Sequence, residues 1–217
     1  MIAHWDIIQG TAEWHQIRNG KIGGSTAYGL FVKSDTLLND LVAARLEPFE
    51  IDEDGGYENS AIRRGNELEP LARRELSAYT GYDFQECGWL QSEFNELLGI
   101  SPDGITKDMK FMCEIKCPGR KEHLETLRGK VIPLKHLDQV VHNFTVNDDL
   151  EKVFFCSFRP ECEYPLFVKS ADRETMVNLG TKSKPIVKPV WQWASIAHEE
   201  ANMLLKDIGE VIESLKF

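Results

Sequence analysis

The 217-residue chain is 42% hydrophobic and 28% charged, an ordinary balance for a globular protein, and its length suits one domain over residues 1–217 better than two. No apolar run approaches the roughly 20 residues of a membrane span, MIAHWDIIQG lacks the regions of a signal peptide, and five irregularly spaced cysteines argue against a disulfide framework; a cytoplasmic protein without a membrane partner is expected. The net charge of −10 does not exclude nucleic acid, because six acids fall between Glu47 and Glu58 while Arg63-Arg64, Arg73-Arg74, Arg120-Lys121 and the Arg128 to Lys135 region leave local positive surfaces.

In chain order, AEWHQIRNGKIGGSTAYGLF comes first. Ser25 or Thr26 is placed to cap a helix beginning near Ala27, and Gly23, Gly24 and Arg18 beside its start could hold an anion such as a phosphate. The same residues also make an ordinary turn and cap, and the GxxxxGK[ST] motif is absent. Thr36 to Leu46 reads as a helix. EPFEIDEDGGYENS reads as an acidic surface loop.

Ala61 to Tyr79 is an amphipathic helix with Leu68, Leu71, Ala72, Leu76 and Tyr79 at helical spacing and Gly81 as its stop. Pro70 either places its start near Asn66 or bends it. Glu69 lies at the edge of the apolar stripe, but so does Glu75, and spacing does not choose between them. Strands are expected at Phe84 to Leu90, Leu97 to Ser101 and Met112 to Cys117, then helices at Glu122 to Arg128 and Leu134 to Val146. The second of these buries Leu137, Val140, Val141 and Phe144, with Gln139 and His142 off the centre of the stripe. Strands at Val153 to Phe158 and Tyr164 to Val168 follow. A helix from Trp193 to Leu215 turns Ile196, Leu204, Ile208, Val211 and Leu215 inward. Trp191 and Trp193 suit either an interface or the core. Strands enclosed by helices make this an α/β fold.

The chemistry gathers in SPDGITKDMKFMCEIKCP, Ser101 to Pro118. On a strand from Met112, Glu114 and Lys116 share one face, while Cys113, Ile115 and Cys117 share the other. A turn through Lys107 to Lys110 would bring Asp103 back beside them. Asp103 and Glu114 could hold Mg²⁺ with the Ile115 carbonyl, Glu69 could complete the site from its helix, and the lysine could act on the attacking water and on transition-state charge, a set suited to phosphodiester hydrolysis. Taken singly, Asp-Gly is a common turn pair and Glu-x-Lys a common solvated face. Cys113 and Cys117 read as buried strand residues, not metal ligands.

With Pro102-Asp103 and Glu114-Ile115-Lys116 in this order, the sequence resembles the PD-(D/E)xK nucleases, and more narrowly the lambda exonuclease and YqaJ-type viral recombinase family. WHQIRNGKIGGS (Trp14 to Ser25), RGNELEPLAR (Arg64 to Arg73), SPDG with EIKCP, and LDQVVHNFTV (Leu137 to Val146) carry the resemblance over the first two thirds of the chain. It implies a restriction-endonuclease-like central mixed sheet flanked by helices. It also implies a Mg²⁺-dependent 5′→3′ double-strand DNA exonuclease of phage recombination, with Mn²⁺ as a substitute, acting in the host cytoplasm on 5′-phosphorylated ends and leaving 3′ single strands. Asp103, Glu114, Glu69 and the Ile115 carbonyl would be metal ligands, Lys116 the catalytic lysine and Gln139 a supporting glutamine. Glu69 is chosen over Glu75 and Glu67 by this likeness alone. Arg18 and Ser25 would hold the 5′-phosphate. A homotrimer around DNA and a single-strand-annealing partner are implied as well. The sequence departs from the family at Ile22-Gly23-Gly24-Ser25, where the backbone before the serine is altered, and at Val141, which replaces a second glutamine. A structure-specific endonuclease and a catalytically silent end-binding protein are the competing readings.

Overall fold

Alternation and helical spacing set the elements of the computed structural model, which describes residues 1–47, 49 and 60–216. In order they are β1 (Ile2–His4), α1 (Ala12–Arg18), α2 (Tyr28–Val32), α3 (Asp35–Leu46), α4 (Ser60–Thr80), β2 (Trp89–Gln91), β3 (Gly99–Ile100), β4 (Gly104–Ile105) and β5 (Phe111–Lys116). Then come α5 (Arg120–Gly129), a 3₁₀ turn (Leu134–His136), α6 (Leu137–Val146), β6 (Lys152–Phe158), β7 (Leu166–Ala171), β8 (Met176–Asn178), β9 (Val187–Pro189) and α7 (Val190–Ser214). The acidic segment from Glu47 to Glu58 lies outside the described residues except at Glu47 and Phe49.

The central sheet is mixed. Its order is β4-β5-β6-β7, with β5 and β6 parallel and the two outer pairs antiparallel. The parallel pair needs a crossover, which α5 and α6 supply. A smaller antiparallel sheet, β1-β2-β3, leads into it. Side chains alternate across β5 and β6: Cys113, Ile115, Cys156 and Phe158 pack with Ala72, Leu76 and Phe84, the side of α4. Met112, Val153 and Phe155 join Val140, Val141 and Phe144 of α6, with Trp193, Ala197 and Ala201 of α7 behind them. The result is a helix, sheet, helix, helix stack, and the expected α/β architecture with a central mixed sheet flanked by helices is the one found.

Several expectations are corrected. The helix near Ala27 begins at Tyr28 and is capped by Ala27 without a side-chain bond; Thr26 instead closes on Gly23, accepting from its N–H at 3.1 Å. Helix α4 runs through Pro70 from Ser60, so Asn66 is not its start. Tyr79 (68%) and Leu215 (49%) are exposed where burial was expected, because each sits near a helix end beyond its packing partners. His142, expected off the buried stripe, is fully buried. Phe84 to Leu90 is not a continuous strand. Gln85 makes an isolated bridge to Ile105, and Gly88 passes so close to the Ile7 carbonyl that an added Cβ would stand 2.2 Å from its oxygen. Trp193 belongs to the core, its indole N–H donating to the Val177 carbonyl at 3.0 Å, whereas Trp191 is 48% exposed.

Candidate active site

The expected return of the chain is made by the β4–β5 hairpin. Gly104 pairs with Cys113 and Ile105 with Met112, and the turn between them closes through Thr106, whose N–H donates to the Phe111 carbonyl at 2.9 Å. This register brings Asp103 level with the middle of β5, where its Oδ2 accepts the Ile115 N–H at 2.6 Å. Glu114 and Lys116, two residues apart on one face of β5, form an ion pair. Glu114 is buried, and Lys116 reaches the cleft beyond it.

Burial pushes the Glu114 carboxyl well above the ordinary carboxylate range. Lys116 opposes that rise and Asp103 adds to it. Burial disfavours the charge on Lys116, but Glu114 and Asp103, with Glu69 behind them, outweigh it and raise its pKa, so the ammonium stays protonated. Glu69 is carried up to about 7, first by burial and then by the Asp103 charge, despite its bond to Arg73. Asp103 is thus the common neighbour of Glu69, Glu114 and Lys116. The ambiguity on α4 disappears in the structure: Glu67 and Glu75 are exposed, and Glu69 alone of the three lines the cleft.

Arg73, one turn on from Glu69, is 8% exposed, so it does not add to the positive surface expected of Arg73-Arg74, and an inward role for it is not among the expectations from the sequence. Its Nη2 donates to Glu69 Oε1 at 2.6 Å, its Nε donates to the Asp103 carbonyl at 2.5 Å, and its Nη1 lies 3.4 Å from Glu86. The Glu-x-x-x-Arg spacing was available as a signal, because residues four apart on a helix are neighbours. Asp138, also missed, raises Glu114 by its charge, and its Oδ1 is buried without a hydrogen-bond partner among the described residues.

The cleft has a volume of about 410 Å³ and is walled by Glu69, Asp103, Ile115, Lys116, Cys117 and His136 among others. His136 is held near pKa 4 by burial and then by the charges of Lys116 and Lys135; Gln139 bonds to its side chain. Cys113 is buried within the sheet as expected, but Cys117, expected to be a buried strand residue, lies just past the end of β5, half-buried, and stands on the cleft wall as a free thiol.

Gln139 leads to the second cluster. A Cβ built on Gly24 would stand 3.8 Å from Gln139 Nε2, and one on Gly23 would stand 3.7 Å from Arg18 Nη2. The Gly23-Gly24 backbone therefore runs between Arg18 and Gln139. The Arg18 guanidinium stacks 3.8 Å above the Trp14 ring, and Trp14 is fixed by donating to Ser101 Oγ at 2.8 Å and to the Gly88 carbonyl at 3.0 Å. Burial lowers the pKa of Arg18, and no carboxylate of the described residues pairs with it. Ser25 is exposed on the turn that follows.

Of the described residues, Arg73 acts on Glu69 and Lys116 on Glu114, while Lys135, also on the cleft wall, is paired with Glu122; with Asp103 and Asp138 added, the cleft keeps an excess of negative charge that a divalent cation would offset. Among the described residues no three His, Cys, Asp or Glu side chains form a ready-made cage; Glu114 is engaged by Lys116 and Glu69 by Arg73. Mg²⁺ asks for less, since one or two carboxylates suffice alongside waters and substrate oxygens. The oxygen-only donor set and the unpartnered Asp138 oxygen fit such an ion.

The architecture and these clusters define an α/β protein with a carboxylate and lysine cleft opening from the edge of a mixed sheet. The chain matches the YqaJ-like viral recombinase domain over residues 13–149, and it belongs to that family. Among solved structures it is similar to an alkaline exonuclease, LHK-Exo, from Laribacter hongkongensis, at 25% identity and a TM-score of 0.73, over 94% of this chain and 96% of that one. The same exonuclease in complex with dAMP matches at 25% identity and a TM-score of 0.73, over 95% and 96% of the two chains. A phage related exonuclease from Haemophilus somnus 129PT, 11% identical with a TM-score of 0.51 over 90% and 96%, shares the fold. Among curated protein sequences none matches. No helix among the described residues is long and apolar enough to cross a membrane.

Proposed function

We propose that this protein is a Mg²⁺-dependent nuclease of phage-type recombination that degrades double-stranded DNA 5′→3′ from 5′-phosphorylated ends, leaving 3′ single strands. The observation that carries the proposal is the position of Asp103, anchored to the Ile115 N–H and electrostatically joined to Glu69, Glu114 and Lys116. Asp103, Glu114, Glu69 and the Ile115 carbonyl would hold the metal. Bound Mg²⁺, or Mn²⁺ in its place, supplies Lewis-acid polarisation of the scissile phosphate and a more acidic attacking water. Lys116, kept protonated by its acidic neighbours, serves as a fixed positive charge against the developing phosphoryl charge. Gln139 supports the cleft from α6. Arg18 and Ser25 receive the terminal phosphate, and Arg18 suits the task because its fork is held on Trp14 with no carboxylate of the described residues to compete. The family membership and the likeness to an exonuclease described in complex with dAMP support a nuclease that acts on DNA. A homotrimer around the duplex and delivery of the 3′ strand to a single-strand-annealing protein complete the proposal.

The test uses linear duplexes with 5′-phosphate or 5′-hydroxyl ends and covalently closed circles, with Mg²⁺ or with EDTA. The expected result is stepwise release of mononucleotides from 5′-phosphorylated linear DNA with Mg²⁺ only, circles remaining intact. Rapid cutting of closed circles would establish an endonuclease instead. Binding of ends without nucleotide release would establish a silent end-binding protein.

A further inference from the structure

His142 lies three residues beyond Gln139 on α6, fully buried, and it is not part of the cleft wall. Its Nε2 lies 3.1 Å from the Ile22 carbonyl and 2.9 Å from the Gly99 carbonyl. Carbonyl oxygens only accept, so the proton sits on Nε2 and is shared between them. The two carbonyls belong to chain segments that already touch: the Ile22 N–H donates to the Leu97 carbonyl at 2.6 Å and the Gly99 N–H donates to the Ile22 carbonyl at 3.1 Å. Immediately after Ile22 come Gly23, against Arg18, and Gly24, against Gln139. One imidazole on α6 therefore ties down the root of the loop that lies between these two side chains. Its Nδ1 is buried with no hydrogen-bond partner among the described residues, so the ring is retained at the cost of one unmet polar atom.

We infer that His142 is a positioning residue for end recognition, fixing the Arg18–Ser25 loop to α6 so that the terminal phosphate and Gln139 keep a set separation. This rests on the proposed recognition of 5′-phosphorylated ends. The chemistry required of residue 142 is narrow: a neutral donor at the distance of Nε2 from the backbone. Burial supports this, holding the ring neutral with its pKa near 4. The Gln side chain carries its N–H₂ at about that reach, whereas Asn carries it nearer the backbone, level with Nδ1. The two variants are alike in polarity and differ mainly in where the donor stands.

The full-length protein is compared with His142→Gln and His142→Asn, each checked for folding by circular dichroism. Each is titrated in EDTA, where turnover is stopped, with a short duplex ending in 5′-phosphate and with the same duplex ending in 5′-hydroxyl. The readout is the ratio of the two affinities. The wild type and His142→Gln are expected to share a preference for the phosphate, and His142→Asn to lose about fivefold of it, the scale of one hydrogen bond. A ratio for His142→Asn equal to that of His142→Gln would overturn the positioning role, as would equal weakening for both ends. A wild type indifferent to the phosphate would overturn the end-recognition reading itself and His142's part in it. A fall confined to the variants would leave that reading standing.

Discussion

The hairpin cleft and the Arg18 loop are opposites in charge. Around Asp103 there are more carboxylates than cations, and Glu69 and Glu114 are pushed up first by burial, with the Asp103 charge adding to it. Around Arg18 there is a half-buried cation stacked on Trp14 with no carboxylate of the described residues beside it. Each cluster is incomplete in the direction its proposed ligand would complete, a cation at one and a phosphate at the other. Gln139 stands between them, beside Gly24, where an added Cβ would meet its Nε2 at 3.8 Å, and bonding to His136 of the cleft on the other side. The proposed chemistry and the proposed end recognition therefore draw on separate residues, and substitutions should affect them separately.

The largest effect is expected at the hairpin. Lys116→Ala removes the one ammonium paired with Glu114, and kcat should fall about 10³-fold. Binding of a 5′-phosphorylated duplex in EDTA should stay within about twofold. Loss of binding along with turnover would break the separation of the two regions. Arg73→Ala tests the acidic crowding in the folded protein. It leaves Glu69, Glu86 and the Asp103 carbonyl without their shared donor in a nearly buried position, which should cost about 3 kcal/mol in denaturant unfolding. Arg73→Lys should recover part of that, and Mg²⁺ should stabilise the Ala variant more than the wild type. An unchanged unfolding midpoint would show that the carboxylates do not depend on Arg73.

The connection between the regions predicts a pH effect of similar size. The folded-state pKa of His142 is depressed to about 4, from an unfolded value near 6.5. Above pH 6.5 the ring is neutral in both states and its contribution is fully present. As pH falls toward 4 the unfolded chain takes up the proton first, and about 3 kcal/mol of stability should be lost. The charged group that bears on it is His198 of α7, which lowers its pKa further. His136 is depressed in the same direction, so the His142 share is the difference in slope between the wild type and His142→Gln across that window. Parallel curves would mean that the ring is not held neutral.

The two regions also differed in how far the sequence exposed them. Two-residue alternation placed Glu114 and Lys116 on one face of β5, and the polar turn predicted the return of Asp103, because both follow from local backbone geometry. Glu69 could not be separated from Glu75 by helical spacing, since which side of α4 meets β5 is a tertiary fact. Arg73 was hidden for a different reason: a charged residue reads as solvated unless its partners are known, and two of them, Glu86 and the Asp103 carbonyl, lie in other parts of the chain. At the N-terminus, the glycines and Arg18 suggested an anion site, but the supposed helix cap was wrong. The loop is held by Thr26 on Gly23 and by His142 from α6, and that last contact spans a sequence separation of 120.

The smallest effect predicted is the most selective. Arg18→Ala should lower kcat/KM on 5′-phosphorylated ends about tenfold, the worth of a charge-assisted bond, and leave 5′-hydroxyl ends unchanged. Arg18→Lys should not restore it, because a lysine lacks the planar fork that stacks on Trp14 and meets a phosphate with two donors. Stability separates this from a structural role. Arg18 has no ion pair among the described residues, so removing it gives up stacking on Trp14 but also relieves a half-buried unpaired charge, and the unfolding midpoint should move little. Arg73, of the same residue type and also partly surrounded by protein, should behave in the opposite way. If Arg18→Ala unfolds the protein as readily as Arg73→Ala, the guanidinium is part of the scaffold, and the opposition between the two clusters fails on the side of the loop.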